Sequence, residues 1–129
     1  VDKHNLPWYF KGCNTIEKYH PFHIKENVTN YVVKELVPLM NIDEFLIKYN
    51  IRRIKYLKID TEGHDLIILN GLFDYVEKLD RNYYPLKILF ETNSNISSDV
   101  VDKFIDRVTK LGYKLIYRYD NDNTLIELI

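Results

Sequence analysis

Apolar positions along the chain follow two rhythms, and their alternation predicts its elements. Tyr, Val and Thr crowd the stretch Val28 to Val37, so a strand is expected there, centred on Tyr31 to Val37, with Pro38 ending it. Asn41 is followed three residues later by Glu44, the spacing of a capping box. Ile42, Phe45, Leu46 and Tyr49 then recur at helical intervals, predicting a short helix from about Asp43 to Tyr49 that stops at Asn50. Ile54 to Ile59 is apolar on both faces, the pattern of a central strand. Gly63 permits a tight turn, and Leu66 to Leu79 returns to helical spacing with a stripe of Leu69, Leu72, Phe73, Val76 and Leu79. Gly71 inside that helix is expected to mark close packing against the sheet.

The second half repeats the scheme. Asp80 to Pro85 reads as a loop and Leu86 to Phe90 as a buried strand. Ser97 or Ser98 caps a helix whose core positions are Val101, Phe104, Ile105, Val108 and Leu111, with Gly112 as its stop. Tyr113 to Tyr119 and Thr124 to Leu128 are strands joined by a turn at Asp120 to Asn123, forming a hairpin. The fold class expected is α/β, a mostly parallel sheet with helices on its faces and a closing antiparallel hairpin. Residues 1–30, punctuated by Pro7, Gly12 and Pro21, read as an irregular, loop-rich segment, and residues 31–129 as the α/β domain.

Composition narrows the partners. The chain has 129 residues, enough for one compact domain. Eighteen basic residues against nineteen acidic ones leave the net charge near zero, which gives no footprint for nucleic acid or an anionic membrane. The lone cysteine, Cys13, rules out an internal disulfide and a cysteine-built zinc cage. No apolar run approaches a membrane span and no leader is visible, so the expected location is cytoplasmic. The chain opens on Val, as a processed product or a piece of a longer protein would. The four glycines are scattered, with neither a dinucleotide-binding nor a phosphate-cradling loop.

Candidate chemistry gathers where the strand Ile54 to Ile59 ends. Asp60, Glu62, His64 and Asp65 follow within six residues, and the carboxyl ends of strands are where open α/β sheets bind ligands. Asp60 or Glu62 could act as a general base towards a hydroxyl, or could serve only its own turn. Asp65 falls in the first helical turn, where its charge suits the helix dipole. A metal held by the four is the weaker alternative, because such sites usually draw on more than one segment. Glu91 and Asn93 close the next strand, and parallel pairing would bring them beside Asp60. His20 and His23 are weakly suggestive loop residues, and Cys13 has no activating partner in view.

The run Lys58-Ile59-Asp60-Thr61-Glu62-Gly63-His64-Asp65, followed by Leu69-Asn70-Gly71, resembles the K-I-D-x-E-G-x-E/D…L-x-G signature of FkbM-type methyltransferases. Val37-Pro38-Leu39-Met40-Asn41-Ile42-Asp43 is similar to a flanking V-P-x-x-x-L-D segment, and Leu89-Phe90-Glu91 to that family's strand closing in glutamate. The resemblance spans about Tyr31 to Asn93. It implies a class I, Rossmann-like fold and S-adenosylmethionine as cosubstrate, with methyl transfer to a hydroxyl oxygen of a sugar, lipid or polyketide-like acceptor. It implies catalytic roles for Asp60, then Glu62, then Glu91. The family's glycine-rich cosubstrate turn has no counterpart here, so the chain resembles the carboxyl-terminal half of such an enzyme, as a fragment or a truncated form. The alternative is a non-catalytic α/β module that binds a partner through an exposed sheet edge.

Overall fold

A computed structural model describes residues 36–92, 96–119 and 122–129. The chain divides into two compact units, Val1–Leu39 and Met40–Ile129. In the first unit only residues 36–39 are described, and they form neither helix nor strand. The expected strand of residues 31–37 otherwise lies outside the described residues, as do His20, His23, Cys13 and Asn93.

The second unit opens with helix α1, Ile42–Lys48. Glu44 reaches back to accept the backbone N–H of Asn41 at 3.3 Å, the capping-box contact that the spacing predicts. Asn50 ends the helix in a left-handed conformation, φ 51°. Its N–H donates to the Ile47 carbonyl and that of Ile51 to the Leu46 carbonyl, so a Schellman turn satisfies two helix-end carbonyls. Strand β1, Tyr56–Ile59, follows, then helix α2, Asp65–Val76, and a single 3₁₀ turn at Arg81–Tyr83. Strand β2 is Lys87–Thr92, helix α3 Ser98–Lys110, and strands β3 and β4 are Tyr113–Arg118 and Asp122–Leu128.

The four strands form one sheet in the order β1-β2-β4-β3. β1 and β2 are parallel, whereas β4 runs antiparallel to both β2 and β3. The closing hairpin forms as expected, but the sheet is not mostly parallel. β4 inserts between β2 and β3, so one reversed strand makes two of the three ladders antiparallel. Among the described residues β1 pairs with β2 alone, and Tyr56 and Lys58 are exposed.

The core lies on one face of the sheet. Ile59, Ile88, Phe90, Ile126 and Tyr113 are buried against Leu69, Phe73 and Val76 of α2 and Val101, Phe104 and Val108 of α3. Phe104 packs edge-on to Phe90, and Phe73 edge-on to Tyr113, with ring centroids 5.4 and 5.5 Å apart. Both helices therefore share a face, rather than dividing between two as the alternation suggests. Arg107 of α3 joins them, donating to Asn70, Asp74 and Glu77 of α2. Leu79 lies beyond the end of α2 and is exposed, so it is not part of the stripe. Gly71 faces Ile42 of α1, not the sheet, and a Cβ built there would meet Ile42 Cγ2 at an ordinary 3.6 Å. No helix among the described residues is long and apolar enough to cross a membrane.

Candidate functional site

β1 and β2 are in register from Tyr56 with Lys87 to Ile59 with Phe90. The next residues, Asp60 just past the end of β1 and Glu91 one residue before the end of β2, therefore stand level on two neighbouring parallel strands. Residue alternation aims both away from the face that Ile59 and Phe90 bury. Lys58 shares that outward face. Its ammonium donates to Asp60 Oδ2 at 2.9 Å, and the pair is about half exposed. The hydrogen bond to Asp60 and that residue's charge raise the Lys58 pKa above its ordinary value, and Glu91 adds a smaller pull in the same direction. Lys58 is thus paired with one of the three expected carboxylates and feels the charge of a second.

The turn between β1 and α2 is left-handed at two consecutive residues, Glu62 at φ 54° and Gly63 at φ 110°. Gly63 suits that region, and nothing lies within 4 Å of where its Cβ would be. Glu62 is an L-residue held in a conformation costing of order 1–3 kcal/mol, and such strain persists only where neighbouring contacts fix it. Those contacts come from Asp65, the first residue of α2, whose side chain is fully buried. Asp65 Oδ2 accepts the Thr61 hydroxyl at 2.8 Å and the Thr61 N–H at 3.2 Å. Its Oδ1 accepts the N–H of Glu91 on β2 at 3.1 Å. One carboxylate therefore ties the turn that carries Asp60 and Glu62 to the strand that carries Glu91.

This changes how the acidic cluster reads. Asp65 does begin α2, but its oxygens are taken up by three hydrogen bonds in the interior rather than turned towards solvent or a cation. His64 precedes the helix, and its carbonyl accepts from Ile67 and Ile68. Among the described residues no three His, Cys, Asp or Glu side chains are grouped to hold a metal ion. Glu91 lies inside β2, not beyond it, because the strand runs on to Thr92. Thr92 is buried, its hydroxyl bonded to Thr124 and to the Asp122 carbonyl, and this continues the ladder past Phe90. A shallow depression of about 400 Å³ between α2 and α3 is lined by Glu77, Lys103, Asp106, Arg107, Lys110 and Leu111, and none of the strand-end residues borders it.

Two participants escape a reading of spacing alone. Lys58 appears only as a member of an apolar strand, and Thr61 as a filler between acids. The signal for Thr61 was its separation of four residues from Asp65, which lets a hydroxyl at the end of a strand meet a carboxylate at the start of a helix.

Comparison with curated proteins finds no significant match, and comparison with solved structures finds none either. A family model does match, that of the methyltransferase FkbM domain, over residues 4–115. The match takes in most of the chain, including β1, the strained turn, β2 and α3 (Ser98–Lys110), and the chain belongs to the FkbM methyltransferase family.

Proposed function

We propose that the protein transfers the methyl group of S-adenosylmethionine to a hydroxyl oxygen of a small acceptor, with Asp60, Glu62 and Glu91 on the acceptor side. The observation that carries this reading is the alignment of Asp60 and Glu91 at adjacent parallel strand ends, tied together through buried Asp65. Crevices at such ends are the usual ligand sites of α/β sheets. The family supports methyl transfer, and S-adenosylmethionine is that family's usual cosubstrate.

Methyl transfer from a sulfonium is an in-line displacement, so rate comes chiefly from holding donor and acceptor in line. The acceptor oxygen forms a bond to the methyl carbon as the carbon–sulfur bond breaks. S-adenosylhomocysteine leaves, and a carboxylate takes the hydroxyl proton. Asp60 suits that last role, because it follows the last residue of β1 and its side chain is about half exposed, with Oδ2 held 2.9 Å from the Lys58 ammonium. Glu91 orients the hydroxyl from the neighbouring strand. Glu62, in the left-handed turn that follows Asp60, is assigned a supporting role towards the acceptor. Sugar, lipid and polyketide-like hydroxyls all fit this chemistry.

Titration calorimetry of S-adenosylhomocysteine into the full-length gene product tests the reading. Saturable binding is expected, and labelled methyl transfer to a hydroxylated acceptor should depend on Asp60. An absence of binding by the full-length product would overturn it.

A further inference from the structure

The near-zero net charge of the chain conceals a local imbalance at the opposite end of β1 from Asp60. From Phe45 to Lys58 the sequence carries Lys48, Arg52, Arg53, Lys55 and Lys58 and no acidic residue. Lys58 pairs with Asp60, whereas Lys48, Arg52, Arg53 and Lys55 form no ion pair among the described residues. All four are exposed. The nearest acids on this segment, Asp43 and Glu44, sit at the other end of α1, where Glu44 is engaged with the Asn41 N–H.

Large apolar side chains lie along the same segment and beside it. Phe45 is 42% exposed, Ile47 62% and Tyr49 57%, all on or just after α1. Leu86, 49% exposed, is brought in from the start of β2 by its N–H bond to the Ile54 carbonyl at 2.9 Å. The backbone beneath is anchored: Leu46 is buried, Ile51 and Ile54 pack against the core, and the Schellman turn fixes the path between them. With Ile51 and Ile54 turned inward, the intervening cations are held outward. Lys48 lies over the Tyr49 ring at 5.5 Å, and Arg52 is steadied by Asn50 Oδ1 at 3.0 Å.

We infer that this basic and apolar surface, built from the end of α1 and the approach to β1, docks the protein on an anionic lipid surface. Cations alone would suit any polyanion. The aliphatic members decide the matter: Ile47 and Leu86 have nothing to gain from a phosphodiester backbone, but they gain from burial at the boundary between headgroups and acyl chains. Lys and Arg extend to lipid phosphates while their stems cover apolar surface. Stable association at an interface takes two signals, and this segment supplies both, apolar insertion and a polybasic patch.

Co-sedimentation of the full chain with vesicles tests the inference. Binding to phosphatidylcholine vesicles containing about 30% phosphatidylserine is expected, with little binding to phosphatidylcholine alone and with release by salt. The triple variant Arg52→Gln, Arg53→Gln, Lys55→Gln is expected to weaken partitioning about a hundredfold, at roughly fivefold per cation. Ile47→Asn, at an exposed helical position, should weaken it without altering the thermal midpoint. Lys103→Gln with Lys110→Gln on α3 should leave it unchanged. Equal binding to both vesicle types, no binding to either, or a triple variant that binds like the wild type would overturn the inference. Tighter binding to a single-stranded RNA oligonucleotide, indifferent to Ile47→Asn, would overturn it as well and assign the surface to nucleic acid.

Discussion

The carboxylate of Asp65 accepts the backbone N–H of Glu91, a bond of 3.1 Å between the first residue of one helix and a strand 26 residues further along the chain. It joins the acidic turn to β2, and it is fully buried on the Asp65 side. Asp65→Ala would leave three donors without their acceptor, the Glu91 N–H and the N–H and hydroxyl of Thr61. A loss of about 3 kcal/mol is expected in urea denaturation, because stranding buried donors costs their desolvation. Asp65→Asn keeps one acceptor oxygen and should cost about half as much.

Asp60→Asn and Glu91→Gln address the chemistry directly. Each preserves shape and removes a carboxylate. The rate of labelled methyl incorporation is expected to fall about 10²- to 10⁴-fold for Asp60→Asn, with a smaller fall for Glu91→Gln. Affinity for S-adenosylhomocysteine and the unfolding midpoint should stay near wild type. An active Asp60→Asn enzyme would remove the proton-acceptor role assigned to that residue.

Glu62 separates strain from scaffold. Glu62→Gly relieves the left-handed backbone, and about 0.5–1 kcal/mol of added stability is expected in chemical denaturation. Methyl transfer should decline at the same time, because the carboxylate is gone and the turn is freer.

Two glycines are expected to behave in opposite ways. Gly71→Ala has room beside Ile42 and removes a mid-helix glycine, so it should stabilise by up to about 1 kcal/mol. Gly112 has φ +95°, and a Cβ there would meet Arg81 Nη2 at 2.7 Å. Gly112→Ala should destabilise by about 1–2 kcal/mol, read as a lowered thermal midpoint.

Tyr113 governs alkaline behaviour. Its hydroxyl donates to the Pro85 carbonyl at 2.6 Å, and burial, reinforced by Tyr84, holds its pKa well above the ordinary value. When pH rises above about 10, tyrosine in the unfolded chain loses its proton while Tyr113 in the folded chain keeps it. The folded state then binds more protons, and stability falls with rising pH. Stability measured between neutral pH and pH 11 should decline less steeply in Tyr113→Phe than in the wild type.

Much of the fold was legible because the local signals agreed with the final packing. Asn41 with Glu44, Asn50 as a helix stop, and Gly112 after α3 are short-range devices, and each acts within a few residues of itself. The strand ends bearing Asp60 and Glu91 were legible for the same reason, since each is an apolar run that stops at an acid. The sheet's pairing was not. That β4 lies between β2 and β3 depends on contacts such as Ile88 with Ile126, which no local pattern encodes. The two-sided burial read into Ile54 to Ile59 fails because Tyr56 is amphipathic and lies open to solvent. Asp65 does stand in the first turn of its helix, as its place in the sequence predicts, but its burial was not legible, because only the meeting of Thr61, Asp65 and Glu91 in space makes it a buried strut.

The reversed strand between β2 and β3 also sets an order of events in time. β4 is the last strand of the sheet to leave the ribosome, yet it is an interior one, bonded on both sides. Until it emerges, β2 has β1 on one edge and an open row of peptide groups on the other, and β3 has no ladder at all among the described strands. Chain closure over such separations slows folding and prolongs the exposure of unpaired edges. The nascent chain is therefore most vulnerable to adopting a foreign strand just before synthesis delivers its own.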